Sequence, residues 1–469
     1  MLKIAKEELS EAQQESIYEN LTHETVEYQN PKNKIKSYFF HETESDIFVP
    51  KYFAFEQLKI QANVDIDEYP NMQKEICYTG TLQNTPQRPQ IEPTRKTYEQ
   101  LKKLYGALLI SPPGTGKTEM AIKISCDLGK KCFILAHKDD LINQWIERIK
   151  KCVSSHVRIG KIKCDECDFK DCDFVVCSMQ SLYRHQYNNK DIFNAGLLII
   201  DEAHHLPSES YQTVFKQFSF CYSLGLTGTF RRSDRKQYLI PWLIGSISVE
   251  VQLPPNENVE VNMIDFTMGK KKEIKYRTNQ IALSSMISAL TKEPLRNTLI
   301  IDIIKLMYHK QPHRKGLLLS HRVEHLKQLY RDLDPNMCAI ISSKIHTNMT
   351  NKERASRKRN REPIVFEKFL TLSTYDMFSE AIDFDGNFII LATPKPHVEQ
   401  STGRIMRGRD ISPVIFDIVD NYSIFEGWKF ARSSFYTKNG YKVLKLTEKQ
   451  IYDQTHKIFS NKKLKNVTQ

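Results

Sequence analysis

The run Ser111-Pro112-Pro113-Gly114-Thr115-Gly116-Lys117-Thr118 follows an apolar stretch, Ala107-Leu108-Leu109-Ile110, and precedes a helix-like stretch from Glu119 to Leu128. Strand, glycine loop and helix in that order predict a parallel-sheet α/β unit of the phosphate-binding kind. The loop's backbone N–H groups suit a phosphate chain, and Lys117 has the reach for β and γ phosphates. The Thr118 hydroxyl is suited to Mg²⁺. Ser111 stands where the general pattern has its first glycine, while Gly114 and Gly116 keep the permissive backbone that the turn needs.

A nucleotide site of this kind needs an acidic partner for the metal. Gly196-Leu197-Leu198-Ile199-Ile200 is short, continuous and apolar, and reads as a buried strand. It delivers Asp201-Glu202-Ala203-His204 at its C-terminal end, where open parallel sheets bind ligands. Asp201 suits Mg²⁺ held through water, and Glu202 suits the polarisation of an attacking water.

With these two motifs in order, the chain resembles a superfamily 2 helicase of the DEAH-box kind, and the resemblance extends over most of its length. It implies an α/β fold of two RecA-like parallel-sheet motor domains using ATP and Mg²⁺. It also implies a catalytic set of Lys117, Asp201, Glu202, His204, Gln400, Arg404 and Arg407. Arg88-Pro89-Gln90, with Gln90 27 residues before Lys117, resembles the adenine-reading glutamine motif. A glutamine amide offers the donor and acceptor that the adenine edge requires. The stretch from Cys132 to Lys138, with Gln144-Trp145 after it, resembles motif Ia, where a strand end meets the nucleic-acid backbone. Val175 to Leu182 resembles motif Ib. Leu224-Gly225-Leu226-Thr227-Gly228-Thr229 resembles motif III, with Phe230 in place of the proline that precedes Arg232 and Asp234 in one branch.

The second motor domain is read from Lys315 to Arg322, which resembles motif IV, and from Leu370 to Asp383, which resembles motif V with Ala381 where glycine is usual. Gln400-Ser401-Thr402-Gly403-Arg404-Ile405-Met406-Arg407 matches motif VI throughout. Arg404 and Arg407 are three apart, which places them on one face of a predicted helix. Facing a P-loop across a cleft, such arginines act as fingers on a γ-phosphate, with forked donors that lysine lacks.

Composition sets bounds. With 40% hydrophobic residues in 469, the chain has the material for real cores, which excludes wholesale disorder. Its net charge of +12 suits a polyanion partner. No secretory apolar segment or membrane-length apolar run is visible, so a soluble intracellular protein with reduced thiols is expected. Cys164 and Cys167 have zinc-like spacing with Cys172 and Cys177 nearby. However, Cys177 belongs to the motif Ib strand and the spacing is short for a zinc ribbon, so structural thiols are the favoured reading.

The expected organisation is an N-terminal α+β module at 1–85, a first motor domain at 86–250 and a linker at 251–292. A second motor domain at 293–455 and a frayed basic tail at 456–469 complete it. The module is read either as a packing extension of the first motor domain or as a grip for duplex or a partner. The basic run from Lys352 to Arg361 reads as an exposed helix or loop, with a nuclear signal as the alternative. Pro413 to Phe425, with Arg432 and Tyr436, looks like the branch of transcript-release DNA helicases of poxviruses and their relatives in other large DNA viruses. That resemblance implies DNA-dependent ATP hydrolysis with unwinding, transcription machinery as a partner, and a viral factory, nucleus or virion as the place. An RNA helicase and an ATPase clamp that never separates strands are the alternatives.

Overall fold

The computed structural model describes residues 1–26, 34–60, 65–137, 139–185, 187, 190–230, 232, 234–267, 273–276, 279–341, 368–379, 384, 386–403, 405–407 and 411–465. Several expectations from the sequence fall outside these residues: the basic run from Lys352 to Arg361, Glu380 to Asp383 of motif V, and Arg404. The chain divides into two compact units, Met1–Gln252 and Leu253–Gln469.

The first unit is built on an eight-stranded sheet. From one edge its strands are Glu166–Asp168, Ile159–Lys163, Phe174–Ser178, Cys132–Ala136, Asn194–Ile200, Ser219–Thr227, Gly106–Ile110 and Ile247–Glu250. All pairings are parallel except the edge hairpin of Glu166–Asp168 on Ile159–Lys163. Helices cover both faces of such a sheet, which is why its central strands are continuous apolar runs with both faces buried. The register pairs Ile110 with Thr227, and Ile200 with both Gly225 and Leu135. Residues 111–118, 137, 201–204 and 227–229 therefore emerge along one sheet edge, at the strands' C-terminal ends.

The N-terminal segment is α+β, as expected. Leu2–Ala5, Asp46–Val49 and His41–Glu42 form an antiparallel sheet, and Thr22–Val26 pairs with Lys34–Tyr38. Helix Glu11–Leu21 starts in a capping box between Ser10 and Gln13. Among the described residues, this segment shares its core with the sheet. Ile4, Ile17 and Phe53 belong to one apolar cluster with Leu108 and Leu243. Phe53 meets Trp242 edge to face at 4.9 Å. The Tyr52 hydroxyl donates to the Tyr105 carbonyl at 2.8 Å, and a side chain at Gly106 would collide with it. The segment packs into the first unit.

The second unit carries a seven-stranded, wholly parallel sheet: Cys338–Ile341, Leu370–Thr374, Gly316–Ser320, Phe388–Leu391, Val414–Asp420, Glu260–Phe266 and Lys442–Thr447. Two sequence expectations are corrected here. Residues 251–292 are not a linker, because Glu260–Phe266 lies inside this sheet and buries Val261, Met263 and Ile264. Its partners, Val414–Asp420 and Lys442–Thr447, lie far downstream, so local reading saw only the break at Pro254-Pro255. The tail is not frayed from residue 456: one helix runs from Glu448 to Lys465, anchored by buried Ile451 and Thr455 and by Lys310 on Gln454 at 3.0 Å.

Two buried ion pairs tie down the approach to motif VI. Arg296 binds Asp420 at 2.7 Å and donates to the Ala392 carbonyl at 2.6 Å. Arg432 binds Asp417 at 2.7 Å, donates to the Lys395 carbonyl at 2.9 Å, and shares Asp417 with the Tyr436 hydroxyl. Breaking either pair would strand a buried charge, which costs about 3–5 kcal/mol. Among the described residues, no helix is long and apolar enough to cross a membrane.

Candidate active site

The phosphate loop closes on its own side chains. Ser111 Oγ lies 2.6 Å from Thr115 Oγ1, and Thr115 donates on to the Pro112 carbonyl at 2.7 Å. Ser111 thus brings a hydroxyl to the place where glycine was expected, and the loop uses it. Gly114 and Gly116 take φ of 83° and 92°, a region open to glycine at little cost. Gly116 caps the helix Lys117–Leu128, which turns its N-terminal N–H groups toward the loop. Lys117 Nζ rests on the Ser111 carbonyl at 2.9 Å, and Thr118 follows on the first helical turn. Pro112 and Pro113 are half-buried at the loop's start.

Gln90 differs from its expected role. It is wholly buried: its Oε1 accepts from the Gln83 N–H at 2.6 Å, and its Nε2 donates to the Thr115 carbonyl at 2.9 Å and to Glu119 at 3.1 Å. The whole amide is spent on holding the loop. Reading an adenine edge requires it to exchange these bonds.

The acidic pair sits at the end of its strand. Asp201 is buried; its Oδ2 accepts from Trp145 Nε1 at 2.8 Å and its Oδ1 from the Glu202 N–H at 3.0 Å. Burial, and then the neighbouring Glu202 charge, push the Asp201 carboxyl up to about 6. Burial also penalises Glu202, but His204 and Lys117 outweigh it and hold that carboxyl down at about 2. Glu202 therefore carries the negative charge most firmly. It adopts a left-handed backbone, φ 49°, and its Oε2 is buried without a well-directed hydrogen-bond donor. His204 Nδ1 lies 3.2 Å from that oxygen but is hydrogen-bonded to Thr227 Oγ1 at 3.0 Å. The Ser111 N–H donates to the Thr227 carbonyl, so the phosphate loop, the acidic motif and motif III meet at one residue. Arg232 pairs with Asp234 at 2.6 Å and donates to the His204 carbonyl. A buried carboxylate pair beside a lysine fits Mg²⁺ and a water nucleophile, and a metal's charge offsets the burial penalty on Asp201.

Sequence reasoning missed three participants. Trp145 was visible only as part of motif Ia, and nothing in its spacing shows that it reaches Asp201. Arg148, on the same helix Asp139–Cys152, pairs with Glu119 at 2.8 Å. His205 stacks on His137 at 4.5 Å and lies beside Tyr211. Burial and the charges of His204 and His137 push the His205 imidazole down to about 3, so it is neutral at pH 7.

In the second unit, Gln400 lies on the short helix Glu399–Thr402, and Arg407 closes a 3-10 turn from Ile405. Within that helix the Thr402 hydroxyl donates to the Val398 carbonyl at 2.9 Å. The expectation that Arg404 and Arg407 share one helical face falls partly on Arg404, which lies outside the described residues. In motif IV, His321 Nδ1 lies 2.8 Å from Thr393 Oγ1. Cys164 and Cys167 are exposed on the edge hairpin, while Cys172 and Cys177 are buried. Among the described residues, no group of three or more His, Cys, Asp or Glu is arranged to hold a metal.

The family described as type III restriction enzyme, res subunit, matches residues 83–232. A candidate ATP-dependent RNA helicase of Acanthamoeba polyphaga mimivirus is 30% identical over 429 residues, covering 89% of this chain and 79% of the relative. The chain belongs to the superfamily 2 helicases. Like other members it is an ATP-dependent enzyme that uses Mg²⁺. This helicase is also 32% identical over 200 residues, 42% of each chain, to a DNA 3′–5′ translocase of Sulfurisphaera tokodaii. Among solved structures, the ATP-dependent type ISP restriction-modification enzyme LlaBIII, bound to DNA, aligns with 78% of this helicase and 31% of its own chain. The TM-score there is 0.51 at 14% identity, a likeness of fold.

Proposed function

We propose that this helicase is an ATP-driven DNA motor, coupling hydrolysis to translocation or strand separation in viral transcription or DNA metabolism. The observation that carries the motor reading is the convergence of phosphate loop, acidic motif and motif III on Thr227, with Glu202 charged beside His204. In this reading the 111–118 loop cradles the triphosphate, with Lys117 on the β and γ phosphates. Thr118 and Asp201 hold Mg²⁺. Glu202 orients the attacking water, and His204 passes the state of the site to Thr227. Gln400, Arg404 and Arg407 of motif VI meet the charge that builds on the γ-phosphate. Gln90 keeps the loop in shape and reads adenine when a nucleotide enters.

The DNA assignment is supported by the likeness to the Sulfurisphaera DNA translocase, and by the resemblance of Pro413 to Phe425, with Arg432 and Tyr436, to the viral transcript-release branch. An RNA substrate is the second reading, favoured by the name of the mimivirus relative that aligns over most of the chain. ATP turnover measured alone and with single-stranded DNA, duplex DNA or RNA decides between them. Strong stimulation by DNA supports the proposal. Stimulation by RNA alone replaces it, and indifference to all three leaves a clamp that needs a protein partner.

A further inference from the structure

We propose that Trp145 and Arg148 are positioning residues, which make the helix Asp139–Cys152 a brace between the two halves of the nucleotide site. The inference rests on the reading of Asp201 as a metal-holding carboxylate and of residues 111–118 as the phosphate loop. The helix is docked on the sheet by Ile142, Trp145, Ile149 and Cys152, all buried and spaced along one face. From that base it sends out two polar tethers one turn apart.

The first tether is the indole. Its N–H is the only polar group of the Trp145 side chain, and it is spent on Asp201 Oδ2 at 2.8 Å. The other carboxylate oxygen accepts the Glu202 backbone N–H at 3.0 Å. Both oxygens of Asp201 are thus aimed, one by its own chain and one by the helix. The second tether is a relay. Arg148 holds Glu119 Oε1 at 2.8 Å; Glu119 Oε2 accepts Gln90 Nε2 at 3.1 Å; and the same amide donates to the Thr115 carbonyl in the phosphate loop at 2.9 Å. A shift of this helix strains the metal-side carboxylate and the phosphate-side loop together. Core packing alone explains a buried tryptophan, but it does not explain an indole N–H aimed at the acidic motif with an arginine relay one turn further on.

Trp145→Phe keeps a ring in the core and removes the donor. The expected result is a chain that melts near the wild-type temperature. Its Mg²⁺ midpoint should rise about 10- to 100-fold, both in ATP turnover and in equilibrium binding of a fluorescent ATP analogue. Its binding of the analogue without Mg²⁺ should be unchanged. Arg148→Ala should weaken analogue binding with and without Mg²⁺, because its relay ends on the loop, and Arg148→Lys should restore part of the loss. A folded Trp145→Phe with the wild-type Mg²⁺ midpoint overturns the indole tether. If that variant fails to fold, Arg148→Ala decides, since its side chain is 43% exposed and its loss leaves no cavity; unchanged analogue binding then overturns the brace. Asp201→Asn separates the two levels. If it retains turnover, the reading of the site fails; if it is inactive while Trp145→Phe is normal, only the brace fails.

Discussion

At the scale of single residues, the site depends on a few groups with one task each. Lys117→Ala removes the only lysine among residues 111–118 and should lower turnover about 10²–10³-fold, the usual cost of losing one charge-stabilising donor. Steady-state ATPase at saturating ATP checks this, and undiminished turnover would remove Lys117 from the site. Glu202→Gln keeps the shape and loses the charge held by His204 and Lys117. It should bind ATP normally while kcat drops about 10²–10⁴-fold, the range of a general base. Normal kcat would free Glu202 from the water-orienting role. The types and order of these residues were legible in the sequence. The spending of the Gln90 amide on the loop was not, because a hydrogen-bond partner 25 residues away leaves no trace in spacing.

At the scale of elements, strand ends are what bring the motifs together. The phosphate-loop strand and the acidic-motif strand are not neighbours; Ser219–Thr227 lies between them and pairs with both. Motif III is thereby placed to touch each, through Thr227. In the second unit, the helix Val323–Arg331 is pinned to its strand by His325, which lies between Ser320 Oγ at 3.0 Å and Asn297 Oδ1 at 2.9 Å. Burial, and then the charge of Arg296, push this imidazole down to about 3. An unfolded histidine titrates near 6.5, so the unfolded chain binds the extra proton first as pH falls. The contribution of neutral His325 is full above about pH 6.5 and is lost progressively toward pH 3. The loss is at most about 1.4 kcal/mol per pH unit. Thermal melting from pH 7 to pH 5 should show a shallower decline for His325→Gln than for the wild type. Equal slopes would show that His325 is not held neutral.

At the scale of the whole molecule, charge and core are distributed unevenly. Residues 1–85 hold eight lysines, no arginine and fifteen carboxylates, a net −7. The remaining residues therefore carry +19 of the chain's charge. A phosphate grip is accordingly expected from residues after 85, and nucleic-acid affinity should fall steeply with salt as counterions are released. A binding isotherm that is flat between 50 and 200 mM salt would contradict a phosphate-dominated contact. The acidic N-terminal segment is expected to act through packing instead. Phe53→Ala empties a site shared with Trp242 and should cost about 3–5 kcal/mol, lowering the melting temperature of the first unit and its ATP binding together. Loss of nucleic-acid affinity with unchanged stability would instead make the segment a grip.

The sequence by itself determined the chemistry. A glycine loop after an apolar strand, an acidic pair after another, and a motif VI run further on specify a nucleotide motor, because such motifs are short, contiguous and carried by backbone shape and residue type. Only the tertiary structure decided which distant groups support that chemistry. Trp145 on Asp201, Arg148 on Glu119, and the strand Glu260–Phe266 beside Val414–Asp420 all join residues separated by tens to hundreds of positions. Hydrogen bonds and sheet pairing of that range are set by how buried layers stack, and a linear pattern of residues holds no record of what each layer will face.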